Sequence, residues 1–131
     1  MFFWDFCCSD PTTMSTKVLI IDDYQDGADV LGQLLSLQGY SVTTAYNGAD
    51  GIEAAMRTGP NVALVDIGMP GMDGYEVARR LRKNFADRLY IVAVTAWSDK
   101  ETQQRCTESG FDLHMTKPVS FEALFDVIGA Q

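Results

Sequence analysis

Short apolar runs alternate with helical patterns five times along this chain, and this alternation limits the fold more than any other feature of the sequence. The first run, Lys17 to Ile21, and the third, Val62 to Val65, are almost entirely apolar and each is followed by aspartate. Runs of this kind are typical of strands that are buried on both faces. Strands that alternate with helices favour a parallel sheet with helices on both sides.

The predicted elements follow one another as β-α, repeated five times. The strands are expected at 17–21, 40–45, 62–65, 89–94 and 112–115, and the helices at 25–38, 48–57, 75–83, 99–109 and 121–128. We expect Asp26 to cap the start of the first helix, Gly39 to end it, and Ser120 to cap the last helix. Right-handed crossovers leave few topologies for such a chain.

The length of 131 residues fits one domain. We predict that residues 17–131 form this domain and that residues 1–16 form an irregular leader, with Met14 as an alternative start. The aromatic residues of the leader either pack on the domain or face a partner.

The net charge of −8 argues against direct binding to nucleic acids, which require an excess of Lys and Arg. No apolar run approaches the ~20 residues that span a bilayer, and the N-terminus lacks the features of a signal peptide. We therefore expect a cytoplasmic protein without membrane contact. The three cysteines, Cys7, Cys8 and Cys106, are odd in number and lack metal-ligand spacing, which agrees with a reducing compartment. Cys106 is expected to be a small buried residue on a helix.

Polar residues follow four of the five predicted strands. Asp22 and Asp23 follow the first strand, Asp66 the third, Thr95 the fourth, and Lys117 comes just after the fifth. In an open α/β sheet, ligands bind beyond the carboxyl ends of the strands. These side chains are therefore expected to meet at one edge of the sheet.

The chemistry of this set points to phosphoryl transfer. Three clustered carboxylates repel one another, and a divalent cation relieves that repulsion. Ligation by oxygen alone suits Mg²⁺. Asp66 could then attack phosphorus as a carboxylate nucleophile, while Lys117 neutralises charge on the transferring group and the Thr95 hydroxyl donates to one of its oxygens.

The same residues carry a resemblance to the receiver domains of response regulators in two-component signalling. It extends from about Lys17 to the C-terminus, and the matching segments are Val18 to Asp23, Leu64 to Gly74, Val94 to Ala96 and Thr116 to Pro118. The resemblance implies a flavodoxin-like, doubly wound α/β fold. In that fold a five-stranded parallel sheet has the order 2-1-3-4-5 and is accompanied by five helices.

The resemblance also implies a role for each matched position. Asp66 corresponds to the phosphorylated aspartate. Asp22 and Asp23 correspond to the acidic pair that holds Mg²⁺ together with Asp66, and the main-chain carbonyl of Gly68 corresponds to a further metal ligand.

Thr95 corresponds to the switch hydroxyl and Lys117 to the phosphate-binding lysine, often followed in this family by a cis peptide bond to proline. The implied phosphoryl donor is a phosphohistidine of a histidine kinase or a histidine phosphotransfer protein. The implied domain is a switch that changes its binding to an effector protein and assists its own phosphorylation and dephosphorylation, without being an enzyme for foreign substrates.

Two positions depart from the family pattern. His114 occupies the position where Tyr or Phe is usual, so a coupled rotation with Thr95 need not operate in the usual form. Trp97, two residues after Thr95, lies at a position that in this family influences access of water to the acyl phosphate. We hypothesise that Trp97 shields the phosphoryl group and prolongs its lifetime.

Other functions fit the sequence less well. A phosphohydrolase with an aspartate nucleophile needs a second acid two residues later, and Gly68 occupies that place. A receiver-like module that binds proteins independently of phosphorylation would lack part of the acidic set, which is complete here. A dinucleotide-binding domain would need a glycine-rich loop after the first strand, where none is found.

Overall fold

The apolar runs of the sequence form the strands of one parallel sheet in the computed structural model, which describes residues 16–97 and 99–131. The strands are β1 (Lys17–Ile21), β2 (Ser41–Ala45), β3 (Val62–Asp66), β4 (Tyr90–Thr95) and β5 (Leu113–Thr116). The helices are α1 (Gln25–Leu37), α2 (Gly48–Thr58), α3 (Gly74–Phe85), α4 (Lys100–Ser109) and α5 (Phe121–Gly129), with a short 3-10 helix, Ala86–Arg88, after α3.

The strands are ordered β2-β1-β3-β4-β5 and all neighbouring strands are parallel. This is the order 2-1-3-4-5 that was predicted. Asp66 at the end of β3 lies beside Val94 of β4, and Thr95 lies beside Thr116 of β5. The carboxyl ends of the three strands therefore lie at one edge of the sheet, where the polar residues were expected to meet.

Each face of the sheet is covered by its own hydrophobic cluster, because successive side chains of a strand point to opposite faces. In β1, Leu19 and Ile21 belong to the cluster under α2, α3 and α4, whereas Val18 and Ile20 belong to the cluster under α1 and α5. Cys106 is buried in the first cluster, as predicted. Its thiol pKa is raised by burial.

Most predicted boundaries agree with the structure to within two residues, but the prediction that Asp26 caps α1 is wrong. The capping position is Tyr24, whose side chain makes no cap hydrogen bond. The Tyr24 carbonyl already accepts a hydrogen bond from the Ala28 N–H at 3.0 Å, so the helix starts before Asp26. Asp26 lies in the first turn instead, where its charge is favourable with respect to the helix dipole.

Two other predicted helix ends are confirmed. Gly39 follows α1 with a φ of 96°, which a residue with a side chain rarely adopts. The Ser120 hydroxyl accepts a hydrogen bond from the Ala123 N–H at 3.3 Å and caps α5. The predicted leader lies outside the described residues, except for Thr16, whose carbonyl accepts a hydrogen bond from Ser41. Within the described residues, no helix has the length and hydropathy needed to cross a bilayer.

Candidate functional site

Three carboxylates meet at the carboxyl edge of the sheet. Asp22 and Asp23 follow β1, Asp66 ends the adjacent strand β3, and one oxygen of each lies within 4.8 Å of the others. Asp66 is buried, Asp22 is partly buried and Asp23 is exposed. The edge thus offers oxygen ligands that are partly protected from water and open on the side of Asp23.

Lys117 reaches this cluster from the other side of β4. Its Nζ lies 3.4 Å from Asp66 Oδ1 and 3.8 Å from Asp22 Oδ2. The Lys117 N–H donates to the Thr95 carbonyl at 2.7 Å, which fixes the lysine backbone beside the end of β4. The Lys117–Pro118 peptide bond is cis, as the resemblance implied. One cation is therefore shared between two carboxylates from neighbouring strands.

Opposing effects act on the pKa of the Asp66 carboxyl group. Burial is the largest effect and raises the pKa of Asp66 above its ordinary value, and the nearby carboxylate of Asp22 raises it further. The Lys117 ammonium and the Gly68 N–H, which donates to Asp66 Oδ1 at 3.3 Å, lower this pKa. The first two effects prevail. The ionised carboxylate of Asp66 is therefore less favourable, relative to its protonated form, in the folded protein than in water.

The donor set fits a magnesium ion. It consists of carboxylate oxygens alone, which Mg²⁺ prefers, and its open side leaves room for the waters that Mg²⁺ retains. Asp22 and Asp66 share one ammonium group, that of Lys117, and a divalent cation would balance the remaining negative charge of the three carboxylates. The predicted further ligand, the main-chain carbonyl of Gly68, belongs to an exposed residue two positions after Asp66.

Gly74 determines how the loop after Asp66 returns to the sheet. A Cβ atom at this position would lie 2.6 Å from Ile67 Cα and 2.7 Å from the Asp66 carbonyl oxygen, both main-chain atoms that cannot move aside. The Gly74 N–H donates to the Ile67 carbonyl at 3.1 Å, and the Asp73 side chain caps α3 through the Glu76 N–H. Gly74 lies in the segment that carries the resemblance, and this role was not predicted from the sequence. The Asp-Gly pair before an amphipathic helix was the available signal.

Thr95, Trp97 and His114 form a second group beside the carboxylates. Thr95 is buried, and its Oγ1 accepts a hydrogen bond from the Trp97 N–H at 3.2 Å. Trp97 is 56% exposed as a residue, and the edge of its ring lies 3.8 Å from where a Cβ of Gly68 would be. His114 Nε2 lies 3.0 Å from the Trp97 carbonyl oxygen, a contact that sequence reasoning did not find. The indole thus lies beside the loop that follows Asp66.

The structure brings together most of the residues predicted for the site. Asp22, Asp23, Asp66 and Lys117 are linked by the distances given above. Thr95 is joined to the group through its main-chain bond with Lys117. The Gly68 N–H donates a hydrogen bond to Asp66 Oδ1. The metal-binding role of the Gly68 carbonyl remains a prediction.

The sequence of the chain is similar to known signalling proteins. The family model described as "Response regulator receiver domain" matches residues 18–129. The sensor histidine kinase RcsC of Salmonella typhi is 36% identical over 121 residues, which cover 87% of this chain and 13% of that protein. RcsC of Escherichia coli K12 is 34% identical over 107 residues, covering 82% of this chain and 11% of the relative. The chain therefore spans only a small part of these relatives.

Solved structures show the same architecture over more than nine-tenths of their length. The chemotaxis protein CheY4 of Vibrio cholerae superposes with a TM-score of 0.83 at 26% identity, covering 88% of this chain and 98% of that chain. A CheY-like receiver domain protein of Methanospirillum hungatei JF-1 gives a TM-score of 0.82 at 28% identity, covering 88% and 92%. Both solved structures therefore share the architecture of this chain over 88% of its length.

Proposed function

Because this chain belongs to the family of response regulator receiver domains, the phosphoacceptor switches of two-component signalling, we propose that Asp66 is the residue that accepts the phosphoryl group. The observation that carries this proposal is the position of Asp66. It is a buried carboxylate at the carboxyl edge of the sheet, with two carboxylates and the Lys117 ammonium beside it.

The proposed reaction is transfer from a phosphohistidine to Asp66. A carboxylate oxygen of Asp66 attacks phosphorus, a P–O bond forms, and the P–N bond to the donor imidazole breaks. The electron pair of that bond returns to the imidazole nitrogen. The product is an aspartyl phosphate, and the donor regains a neutral or protonated histidine.

The side chains around Asp66 support the charge changes of this step. Lys117 is within reach of Asp66 and carries a positive charge that can offset negative charge on the phosphoryl oxygens. The Thr95 hydroxyl can donate a hydrogen bond to one of these oxygens. Asp22, Asp23 and Asp66, with the Gly68 carbonyl, would hold Mg²⁺, which supplies further positive charge to the phosphoryl group when it is bound.

The same groups would assist the loss of phosphate. Water attacks phosphorus, the P–O bond to Asp66 breaks, and inorganic phosphate leaves with the carboxylate restored. We propose that Trp97 slows this step, since its ring edge lies beside Gly68, two positions after Asp66. In this view the chain promotes its own phosphorylation and dephosphorylation and does not turn over other substrates.

The proposed donor is a histidine kinase or a histidine phosphotransfer protein, in line with the similarity to a segment of sensor histidine kinases. Such a donor would place the chain in the cytoplasm. We further propose residues 17–131 as the receiver domain and residues 1–16 as a leader. A module that acts without phosphorylation is not favoured, because Asp22, Asp23 and Asp66 are all retained and brought together.

The test is reaction of the full chain with a small acyl phosphate and Mg²⁺, followed by intact mass measurement and mapping of the modified residue. The wild-type chain should gain the mass of one phosphoryl group at Asp66. Asp66→Asn should gain none, whereas Asp26→Asn, which alters an exposed carboxylate outside the cluster, should react like the wild type. Phosphorylation that persists in Asp66→Asn would contradict the proposal.

A further inference from the structure

The starting observation is the contact between the His114 side chain and the Trp97 main chain. His114 is partly buried on β5, and its Nε2 lies 3.0 Å from the Trp97 carbonyl oxygen. A carbonyl oxygen can only accept a hydrogen bond, so Nε2 must carry the proton and donate it. The His114 side chain therefore acts here as a hydrogen-bond donor and not only as a packed ring.

Trp97 is held through its main chain at two points. Its N–H donates to Thr95 Oγ1 at 3.2 Å, and its carbonyl accepts from His114 at 3.0 Å. More than half of its surface is exposed, so packing of the indole supplies only part of the force that orients it. The two hydrogen bonds hold the main chain of Trp97 and so fix the position from which the indole projects.

The hydrogen bonds of Trp97 with Thr95 and with His114 differ in one respect, which is whether the side-chain partner is also proposed to contact the phosphoryl group. The Thr95 hydroxyl oxygen accepts from the Trp97 N–H, and the same hydroxyl is proposed to donate its proton to a phosphoryl oxygen. Any movement of the hydroxyl towards the phosphoryl group would therefore affect its bond with Trp97. His114 is not among the groups proposed to contact the phosphoryl group, and it belongs to a strand of the sheet. His114 is thus the anchor of Trp97 that phosphorylation need not disturb.

We propose that His114 is a positioning residue that holds Trp97 against the loop after Asp66 and thereby sets how long a phosphoryl group stays on Asp66. This inference rests on the function proposed above and adds a determinant of its regulation. It assigns a role to a histidine at a position where the family usually has Tyr or Phe.

The first experiment compares the rates of phosphate loss from phosphorylated variants. His114→Phe keeps a ring but removes the donor, and it should lose phosphate roughly two- to tenfold faster, the range expected for loss of one neutral hydrogen bond. His114→Gln, which can present an N–H at a similar distance, should restore much of the wild-type rate. The inference is overturned if His114→Phe loses phosphate at the wild-type rate.

A double-mutant comparison separates this role from a general effect on the fold. If His114 acts through the indole, His114→Phe should add little to Trp97→Ala, and the two effects on the rate should not multiply. Effects that multiply fully would show that His114 acts by another route and would overturn the inference.

The second readout does not need phosphorylation. Trp4 and Trp97 are the two tryptophans of the chain, so in a Trp4→Phe background all tryptophan fluorescence comes from Trp97. His114→Phe should increase quenching of this fluorescence by acrylamide, and His114→Gln should not. Unchanged quenching in His114→Phe would count against the anchor. If the wild type takes no phosphate on Asp66, the proposed function fails while this measurement still tests the anchor.

Discussion

The Lys117 ammonium lies 3.4 Å from Oδ1 of Asp66, although the two residues are 51 positions apart in the chain. The contact exists because β3 and β5 flank β4 and all three strands end at the same edge. Lys117 lowers the pKa of Asp66, but burial and the Asp22 carboxylate raise it more. The ion pair therefore reduces the unfavourable free energy of ionised Asp66 without removing it.

A first prediction concerns the stability of Asp66→Asn as a function of pH, with the divalent cations removed by EDTA. Because the folded-state pKa of Asp66 is raised above 3.8, its contribution to stability is fully present below pH 3.8 and is lost as the pH rises through the raised pKa. Asparagine is neutral throughout. Asp66→Asn should therefore become more stable than the wild type as the pH rises, by roughly 1.4 kcal/mol for each unit of pKa shift.

The measurement for this prediction is the free energy of unfolding from urea titrations at several pH values. Saturating Mg²⁺ serves as the control, since a cation bound by the wild-type carboxylates should reduce or reverse the advantage of the variant. If the stability difference between the two proteins does not change with pH, the claim that ionisation of Asp66 destabilises the metal-free fold is contradicted.

A second prediction concerns Asp23 and Mg²⁺. Asp23 is exposed, so Asp23→Asn should change the stability of the metal-free protein by no more than about 0.5 kcal/mol. Its affinity for Mg²⁺ should fall by at least roughly tenfold, since changes even to the outer partners of metal ligands have effects of this size. Titration calorimetry checks the affinity, with Asp26→Asn as the matched control. Equal Mg²⁺ affinity in Asp23→Asn and the wild type would remove Asp23 from the proposed ligands.

A third prediction concerns Gly74→Ala. The added methyl group would overlap main-chain atoms of Asp66 and Ile67, so we expect a loss of about 1 to 3 kcal/mol in the free energy of unfolding and slower phosphorylation. Gly129→Ala is the control, because its Cβ would lie 3.5 Å from the Tyr40 hydroxyl, an ordinary contact. Urea unfolding and the phosphorylation rate check both effects. Equal losses in the two variants would show that the close approach at Gly74 is unimportant.

A fourth prediction concerns Trp97 as a cover of the site. Trp97→Ala should lose phosphate several-fold faster than the wild type, because water reaches the aspartyl phosphate more easily when the indole is absent. Trp97→Phe keeps an aromatic ring beside Gly68 and should show a smaller increase. The rate is followed by intact mass after removal of the phosphodonor. A Trp97→Ala protein that loses phosphate no faster than the wild type would end this proposal.

The sheet and the cluster of polar residues could be predicted because both depend on strong local signals. Apolar runs that stop at Asp22 or Asp66 mark buried strands and their carboxyl ends, and a parallel sheet brings those ends to one edge. The resemblance to receiver domains then supplied the strand order and the roles of the residues. Neither step required knowledge of how side chains pack.

The features that were missed depend on contacts between distant residues. Ala86 has a φ of 51°, which nothing in the sequence indicates, since alanine rarely adopts this conformation. The Arg82 guanidinium donates to the carbonyls of Ala86, Leu89 and Gly110 and pairs with Asp112, which holds this turn in place. The bond from His114 to Trp97 is of the same kind. The error at Asp26 had a different cause, because a good capping residue was overridden by a helix that starts earlier.

The separation of the hydrophobic core into two clusters has a consequence for how this domain can change. Ile67 and Met69, which support the loop after Asp66, belong to the cluster under α2, α3 and α4, whereas Leu35 and Ile128 belong to the one on the opposite face. Substitutions of Leu35 or Ile128 would thus alter packing beneath α1 and α5 without touching the cluster to which Ile67 and Met69 belong. The face formed by α1 and α5 can therefore be repacked at these two positions while the side chains behind this loop stay the same.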